Sequence, residues 1–350
     1  MEIKTFLSFA VFFSYVIEVN SFISQFRQHS PRLQHSTHHQ SSRYKQKATV
    51  DLKEFEIFKT NHPLSPPSDL LDLEIGEKVN PYKNMTIIKL ASNPHIYLVK
   101  NFIEPSQREK LIEEATDKGM EYSGTKAGDI VKQRVNSYTT WVKPHSIVSA
   151  DDNEDETSTE EVMHGARKIA TVMTKISSLI FLPDFFREHL AGGEKLFHEE
   201  NLQIVKYDVD GKFDVHHDGL SRFLTVLTYL NGVAGTWFPY AIVEGAADND
   251  DEDEPPNMHA GNVASEKEIG KDGIVIVGND DDRFEESRHV VKVEAGDAIA
   301  FYNYDWLVNF NDDPDIPSTG PIMNWRSIHS GLKTKKKEKW IATNWFQFNE

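Results

Sequence analysis

The stretch KYDVDGKFDVHHDGLSRFLTVLTYL, residues 206–230, decides how this chain is read. An alternating run ends in two histidines and an aspartate, and a β-branched run resumes soon afterwards. Neighbouring side chains on a strand face opposite ways, so His216 and Asp218 share one face and His217 leaves by the other. The rival register pairs His217 with Asp218 through a bulge or sharp turn; Gly219 permits such a turn after Asp218, though not before it. One imidazole and one carboxylate on a shared face are two thirds of a metal site, and a third ligand has to come from elsewhere.

The segment NWRSIHSGLKTKKKEKWIATNWFQF (324–348) offers one: it reads as a strand carrying His329, a lysine-rich turn and a final strand. The chain has 350 residues and no cysteine, which excludes disulfides, zinc–thiolate sites, iron–sulfur clusters and thiol nucleophiles. Any metal is therefore held by histidine and carboxylate. His216, Asp218 and His329 would occupy one face of an octahedral metal and leave three adjacent positions open. That is the ligand set of non-haem Fe(II) oxygenases, in which an α-keto acid takes two open positions and O2 the third. Lys339 follows His329 by ten residues, embedded in EKWIATNW. A lysine in an apolar strand needs an anionic partner when buried, and the distal carboxylate of 2-oxoglutarate would serve. Lys333, Lys335, Lys336 and Lys337 in the turn read as solvent-exposed.

On these residues the chain resembles the prolyl 4-hydroxylase branch of the Fe(II)/2-oxoglutarate dioxygenases. The family's approach to its first histidine is matched by Tyr207, Gly211, Lys212 and Phe213, with Tyr207 nine residues before His216. RFLTVLTYLN (222–231) resembles the family's Arg-x-x-Thr-Val-Leu-x-Tyr-Leu strand, AGTWFP (234–239) its Gly-Gly-Glu-Thr-x-Phe-Pro, and YLVKNFIEPSQREKLIEEA (97–115) its domain opening. The similarity covers residues 95–350. It implies an α+β fold: a double-stranded β-helix (jelly-roll) dioxygenase core with N-terminal bracing helices. It further implies Fe(II) on His216, Asp218 and His329, 2-oxoglutarate on Lys339 with Tyr207 and Thr236, and a peptide substrate facing Arg222 and Trp345. O2 is the co-substrate, and ascorbate rescues iron oxidised in uncoupled turnovers. The implied reaction converts 2-oxoglutarate to succinate and CO2 while hydroxylating C4 of a peptidyl proline. The alternatives are the same chemistry on a different protein or small-molecule target, and a non-catalytic metal-binding interaction module. Several positions depart from the family pattern: the Asp218-to-Arg222 connection is short, AGT lacks the usual Gly-Glu, LKT stands in place of Cys-Pro-Val, and Gln347 replaces a histidine. The departures lie on the substrate side, so the cofactors are better defined than the target.

The flanks carry other signals. TFLSFAVFFSYVI (5–17) is an uncharged run too short for the roughly 20 residues of a spanning helix and the size of a signal-peptide core; a membrane anchor is the alternative. Residues 19–50 contain no Asp or Glu and scattered basic residues and histidines, like a transit peptide. Together they resemble the two-part presequences of algae with secondary plastids, or a disordered tail in a secretory protein. The expectation is a signal segment over 1–19 and a basic transit-like segment over 20–50, with the endoplasmic reticulum or secretory lumen, or a secondary plastid, as destination and no stable membrane span. Residues 51–92, broken by HPLSPPSD (62–69), read as an extended lead-in with little fold of its own. The domain proper is expected over 93–350, with its catalytic core over 198–350. Helices are expected over 106–119, with Ser106 and Glu109 as a capping box and Gly119 as the stop, and over 159–181, with Ser158 and Glu161 as the box. Two acidic tracts, 151–161 and 246–290, read as solvated loops. The second is an insertion between strands whose charge would steer basic proline-containing partners to the site. A net charge of −17 argues against a nucleic-acid partner. Nothing in the sequence sets the oligomeric state.

Overall fold

The computed structural model describes residues 65–82, 84–123, 134–144, 163–184, 186, 197–219, 221–243, 273–278, 281, 289–308 and 319–348. The expected signal and transit-like segments, the tract 151–161 with Ser158 and Glu161, and most of 246–290 lie outside these residues. No helix among the described residues is long and apolar enough to cross a membrane.

A short helix α1 (Ser68–Leu71) leads into strands β1 (Lys78–Tyr82), β2 (Met85–Ser92) and β3 (His95–Lys100). Helix α2 (Pro105–Lys118), strands β4 (Glu121–Tyr122) and β5 (Arg134–Val142) and helix α3 (His164–Phe181) follow. The remainder is strand: β6 (Phe197–Glu199), β7 (Leu202–His216), β8 (Arg222–Tyr229), β9 (Gly235–Phe238), β10 (Ile274–Gly278), β11 (Val290–Val293), β12 (Ala298–Tyr302), β13 (Tyr304–Val308), β14 (Thr319–Met323), β15 (His329–Gly331) and β16 (Lys339–Phe348).

One 14-stranded sheet runs in the order β1-β2-β3-β12-β8-β16-β7-β15-β9-β10-β11, with β4, β5 and β6 attached at its side, and every pair but β10–β11 is antiparallel. The long strand β7 is the corner. Its first half pairs with β16 and its last residues pair with β15. Residues from both sides of that corner meet in one buried cluster, Val205, Leu227, Ile299 and Ile341 with Phe238, Ile274, Ile276 and Val293. The sheet therefore curls over on itself, and this is the double-stranded β-helix architecture. Strand alternation assigns the other face: Ile204, Leu224, Val226, Ala300, Ala342 and Phe346 pack outward against Ala166, Ala170, Met173 and Ile176 of α3. The helices brace this outer layer.

Four local expectations differ from the structure. Residues 78–92 are not an unstructured lead-in: β1 and β2 extend the sheet, and the Lys89 ammonium is buried, donating to the carbonyls of Leu71 and Leu73 at 2.8 and 2.7 Å. Helix α2 begins at Pro105, and its capping box is Glu104 with Gln107 instead of Ser106 with Glu109; proline prefers the first helical position, which moves the cap back by two. Gly119 does end it, at φ 84°. Helix α3 has no side-chain cap of its own. Glu114 of α2 supplies one from outside, accepting from the amides of Gly165 and Ala166 at 3.2 and 2.7 Å. Finally, the acidic insertion drawn over 246–290 contains a core strand: β10 is buried throughout and pairs with both β9 and β11.

Candidate metal centre

The register of β7 builds the site. His329 of β15 stands directly opposite His216 of β7, and Lys339 at the start of β16 stands opposite Tyr207 further back along the same strand. The nine residues from Tyr207 to His216 and the ten from His329 to Lys339 are thus two antiparallel segments lying side by side. Asp218 lies just beyond the end of β7, where Gly219 at φ 60° and Ser221 at φ 56° make the tight turn into β8, closed by the Arg222 amide donating to the Gly219 carbonyl.

The three side chains converge. His216 Nε2 is 3.8 Å and His329 Nε2 is 3.9 Å from Asp218 Oδ1, and all three residues are buried. Each ring is held through its other nitrogen: Nδ1 of His216 lies 2.7 Å from the Asp214 carbonyl and Nδ1 of His329 lies 3.0 Å from the Ser327 carbonyl. These bonds place the proton on Nδ1 and leave the Nε2 lone pairs facing one another, the tautomer a metal requires. The other carboxylate oxygen is held as well. Asp218 Oδ2 accepts from Thr225 Oγ1 at 2.6 Å and from Trp345 Nε1 at 3.3 Å, which turns Oδ1 toward the imidazoles. Phe213 stacks on His216 at 3.6 Å, and Phe301 and Phe238 lie 4.9 and 5.4 Å from His329. Burial, reinforced by the neighbouring His329, pushes His216 well below the usual imidazole range, so it stays neutral as a ligand must. Burial opposes the Asp218 carboxylate, and the Thr225 hydroxyl and the Arg222 guanidinium favour its charged form. Three acceptor atoms preset in this way, with no proton between them, fit a divalent cation.

His217 is directed elsewhere. Its Nε2 lies 3.2 Å from the Asn303 carbonyl, its Nδ1 accepts from the Gly219 amide at 2.9 Å, and its ring packs edge-on against Tyr304. It does not line the cleft that His216 and Asp218 share.

That cleft is lined, beside the cluster, by Tyr207, Thr236, Lys339, Gln203, Thr343 and Trp345. The Lys339 ammonium is buried, donates to the Gly235 carbonyl at 2.6 Å and lies 5.7 and 5.8 Å from the rings of Tyr207 and Tyr229. No carboxylate among the described residues pairs with it, and burial pushes it down to about 7. An ammonium held this way in a cleft wall fits a carboxylate brought by a ligand. Gly235 is required where it stands, because a Cβ there would come within 1.8 Å of the Ile276 carbonyl on β10. The Thr236 hydroxyl accepts from the Tyr229 hydroxyl at 2.8 Å, and the Lys339 ammonium donates to the Gly235 carbonyl instead.

Two residues assigned to the substrate side are placed differently from each other. Trp345 lines the cleft but spends its indole N–H on Asp218. Arg222 does not line the cleft; its guanidinium is bidentate to Glu200 and covers the Trp345 ring at 4.0 Å. Sequence reading missed Thr225, Glu200 and Arg134. Arg134 enters the cleft from β5, its guanidinium 4.3 Å above Phe213 and its Nη2 3.4 Å from Gln203. Thr225 was signalled by its inward position in β8, whereas Glu200, through Arg222 and Gln347, and Arg134, over Phe213, reach the site from segments distant in sequence.

Fold and cluster together define a double-stranded β-helix with a His-x-Asp…His centre beside a buried lysine. Among solved structures the chain is similar to the viral collagen prolyl hydroxylase of Paramecium bursaria Chlorella virus-1 in its 2-oxoglutarate complex, at 16% identity over 73% of this chain and 96% of that one, with a TM-score of 0.37. It is also similar to a Pseudomonas putida prolyl 4-hydroxylase (12% identity, 74% and 95%, TM-score 0.37) and to the α-ketoglutarate-dependent epimerase SnoN of nogalamycin biosynthesis (12% identity, 73% and 80%, TM-score 0.39). No protein-family model matches the chain, and no curated protein matches it.

Proposed function

We propose that the chain is an Fe(II)/2-oxoglutarate-dependent dioxygenase that hydroxylates C4 of a peptidyl proline. One observation carries the cofactor part: Lys339 is a buried ammonium with no carboxylate partner among the described residues, in the wall of the cleft that holds the His–Asp–His cluster. His216 and His329 through Nε2 and Asp218 through Oδ1 would hold the iron, and Lys339 would pair with the distal carboxylate of 2-oxoglutarate. When bound, the iron and 2-oxoglutarate supply the oxidising power, O2 giving one oxygen atom to succinate as CO2 leaves and the other to a substrate C–H bond.

The protein's own part is positioning and exclusion of water. Carbonyls of Asp214 and Ser327 fix both imidazole tautomers, and Thr225 and Trp345 fix the carboxylate rotamer. Phe213, Phe238 and Phe301 close the space around the rings. Ascorbate would act as an external reductant after uncoupled turnovers.

The peptidyl-proline target rests on the resemblance of strand 222–231 and on Trp345 in the cleft. A second reading, the same chemistry on another target, is favoured by Arg222, whose guanidinium is occupied by Glu200. The deciding experiment supplies purified protein with Fe(II), 2-oxoglutarate and a panel of proline-containing peptides, and follows succinate together with the peptide mass. Succinate with one oxygen added at proline is the expected result. Succinate without peptide oxidation moves the target to the second reading, and silence under all conditions makes the chain a non-catalytic module.

A further inference from the structure

We propose that Glu200 and Arg222 form a clamp that positions Trp345 and, through its indole N–H, the metal-facing carboxylate of Asp218. The proposal rests on the metal reading above and gives Arg222 a role other than meeting the substrate.

The clamp is built from both ends of Trp345. Its backbone carbonyl accepts from the Glu200 amide at 3.0 Å. Its ring is covered by the Arg222 guanidinium at 4.0 Å, and that guanidinium is held in plane by Glu200: Nη2 donates to Oε2 at 2.8 Å and Nε donates to Oε1. Gln347, two residues on from Trp345, donates its amide to the same Oε1. A bidentate arginine–carboxylate pair fixes orientation as well as charge, and a guanidinium lying flat on an indole restrains the ring beneath it. The side chains of Arg222 and Glu200 are 16% and 15% exposed, so the pair is largely shielded from the screening that makes surface ion pairs weak.

What the clamp restrains is a marginal hydrogen bond. Trp345 Nε1 reaches Asp218 Oδ2 at 3.3 Å, beyond the common N–H···O distance. Thr225 makes the short bond to the same oxygen, but a single hydroxyl lets the carboxylate swing about that contact. The indole supplies the second direction and so fixes the plane. Arg222 Nη1 adds a reach of 3.5 Å to the Asp218 carbonyl, which ties the backbone of the ligand to the same guanidinium. The pair is neutral as a whole, so it orients Asp218 without adding net charge beside the metal. The departure at Gln347 is consistent with this arrangement, because an amide donates to Glu200 at every pH.

The test is anaerobic calorimetric titration of the full chain with Fe(II), and of the Fe(II)-saturated protein with 2-oxoglutarate. Glu200→Gln, Arg222→Lys and Trp345→Phe are each expected to weaken Fe(II) by about tenfold, with 2-oxoglutarate affinity changed by less than about twofold. Trp345→Phe keeps an aromatic ring under Arg222 and removes the N–H together with part of the indole packing, so its Fe(II) affinity is read beside its denaturant midpoint, and it reports on the bond even if a clamp variant loses its fold. The double variant Glu200→Gln/Trp345→Phe is expected to bind Fe(II) no more weakly than Trp345→Phe alone, since both changes remove one pathway. Unchanged Fe(II) affinity in the single variants, losses that multiply in the double variant, or full affinity in Arg222→Lys would overturn the clamp. A parent chain that binds no Fe(II) would instead overturn the metal reading, and the clamp with it.

Discussion

Replacing Lys339 with methionine separates the cost of burying an ammonium from its use. Lys339 is 1% exposed and its Nζ has the Gly235 carbonyl at 2.6 Å as its hydrogen-bond partner. In the unfolded chain the amine holds its proton up to about 10.5; burial lowers this to about 7 in the folded protein. Between those values the unfolded state binds more protons than the folded one, so stability rises with pH across the window and is flat below it. At ~1.4 kcal/mol per pH unit the rise is on the order of 5 kcal/mol. A methionine of similar volume removes that slope and leaves the ligand-free protein more stable at neutral pH. Ligand binding runs the other way. Losing a hydrogen bond to a charged group costs about 1.5–3 kcal/mol, or roughly 10- to 100-fold in 2-oxoglutarate affinity. Because the ligand's carboxylate favours the protonated amine, 2-oxoglutarate binding at pH 8 is expected to take up about one proton in the parent and none in the variant. Titration calorimetry in two buffers of different ionisation enthalpy reads both quantities, and denaturant midpoints across pH read the slope. Equal 2-oxoglutarate affinity in parent and Lys339→Met, with Fe(II) bound by both, would refute the assignment.

Other expected outcomes follow from single contacts. His216→Ala should abolish tight Fe(II) binding, whereas His217→Ala should retain it and lose about 1–3 kcal/mol of stability through its bonds to Asn303 and Gly219; iron titration of the two variants decides, and the reverse pattern would sink the register. Thr225→Val removes the 2.6 Å bond to Asp218 and strands the Asn303 amide that donates to the same hydroxyl, so Fe(II) affinity should fall about tenfold together with a lower melting temperature. Phe181→Ala, at the fully buried end of α3, should cost about 3–5 kcal/mol in denaturant unfolding while the folded fraction binds Fe(II) as the parent does.

The cluster was legible because residue type and spacing are local: two histidines and an aspartate close an alternating run, although Asp218 stands beyond the end of β7 and reaches His216 through the turn at Gly219 instead of by strand alternation. Lys339 was legible for a related reason, a charge inside an apolar strand being conspicuous in any context. Where composition competed with pattern, composition misled. The acidic flanks of 246–290 hid IVIVG, a β-branched core strand, inside a supposed insertion, and Ser106 was a better-looking cap than Glu104 until Pro105 is given its due.

Glu200, Arg134 and Thr225 belong to another category. Glu200 lies 22 residues from Arg222, and Arg134 lies 82 residues from His216, the ring it approaches through Phe213. Cross-strand register sets these distances, and register is fixed by the packing of both faces of a curled sheet together. The same holds for Glu114, whose carboxylate caps α3 from a different helix. By itself the sequence determined the alternation of the strands that flank the site, the residue types able to hold a metal and their spacing along the chain, since all of these depend on neighbours along the chain. Only the tertiary structure decided that Arg222 is bound by Glu200, that Trp345 gives its N–H to Asp218 and that Lys339 has no acid among the described residues, since each depends on which distant strand lies alongside.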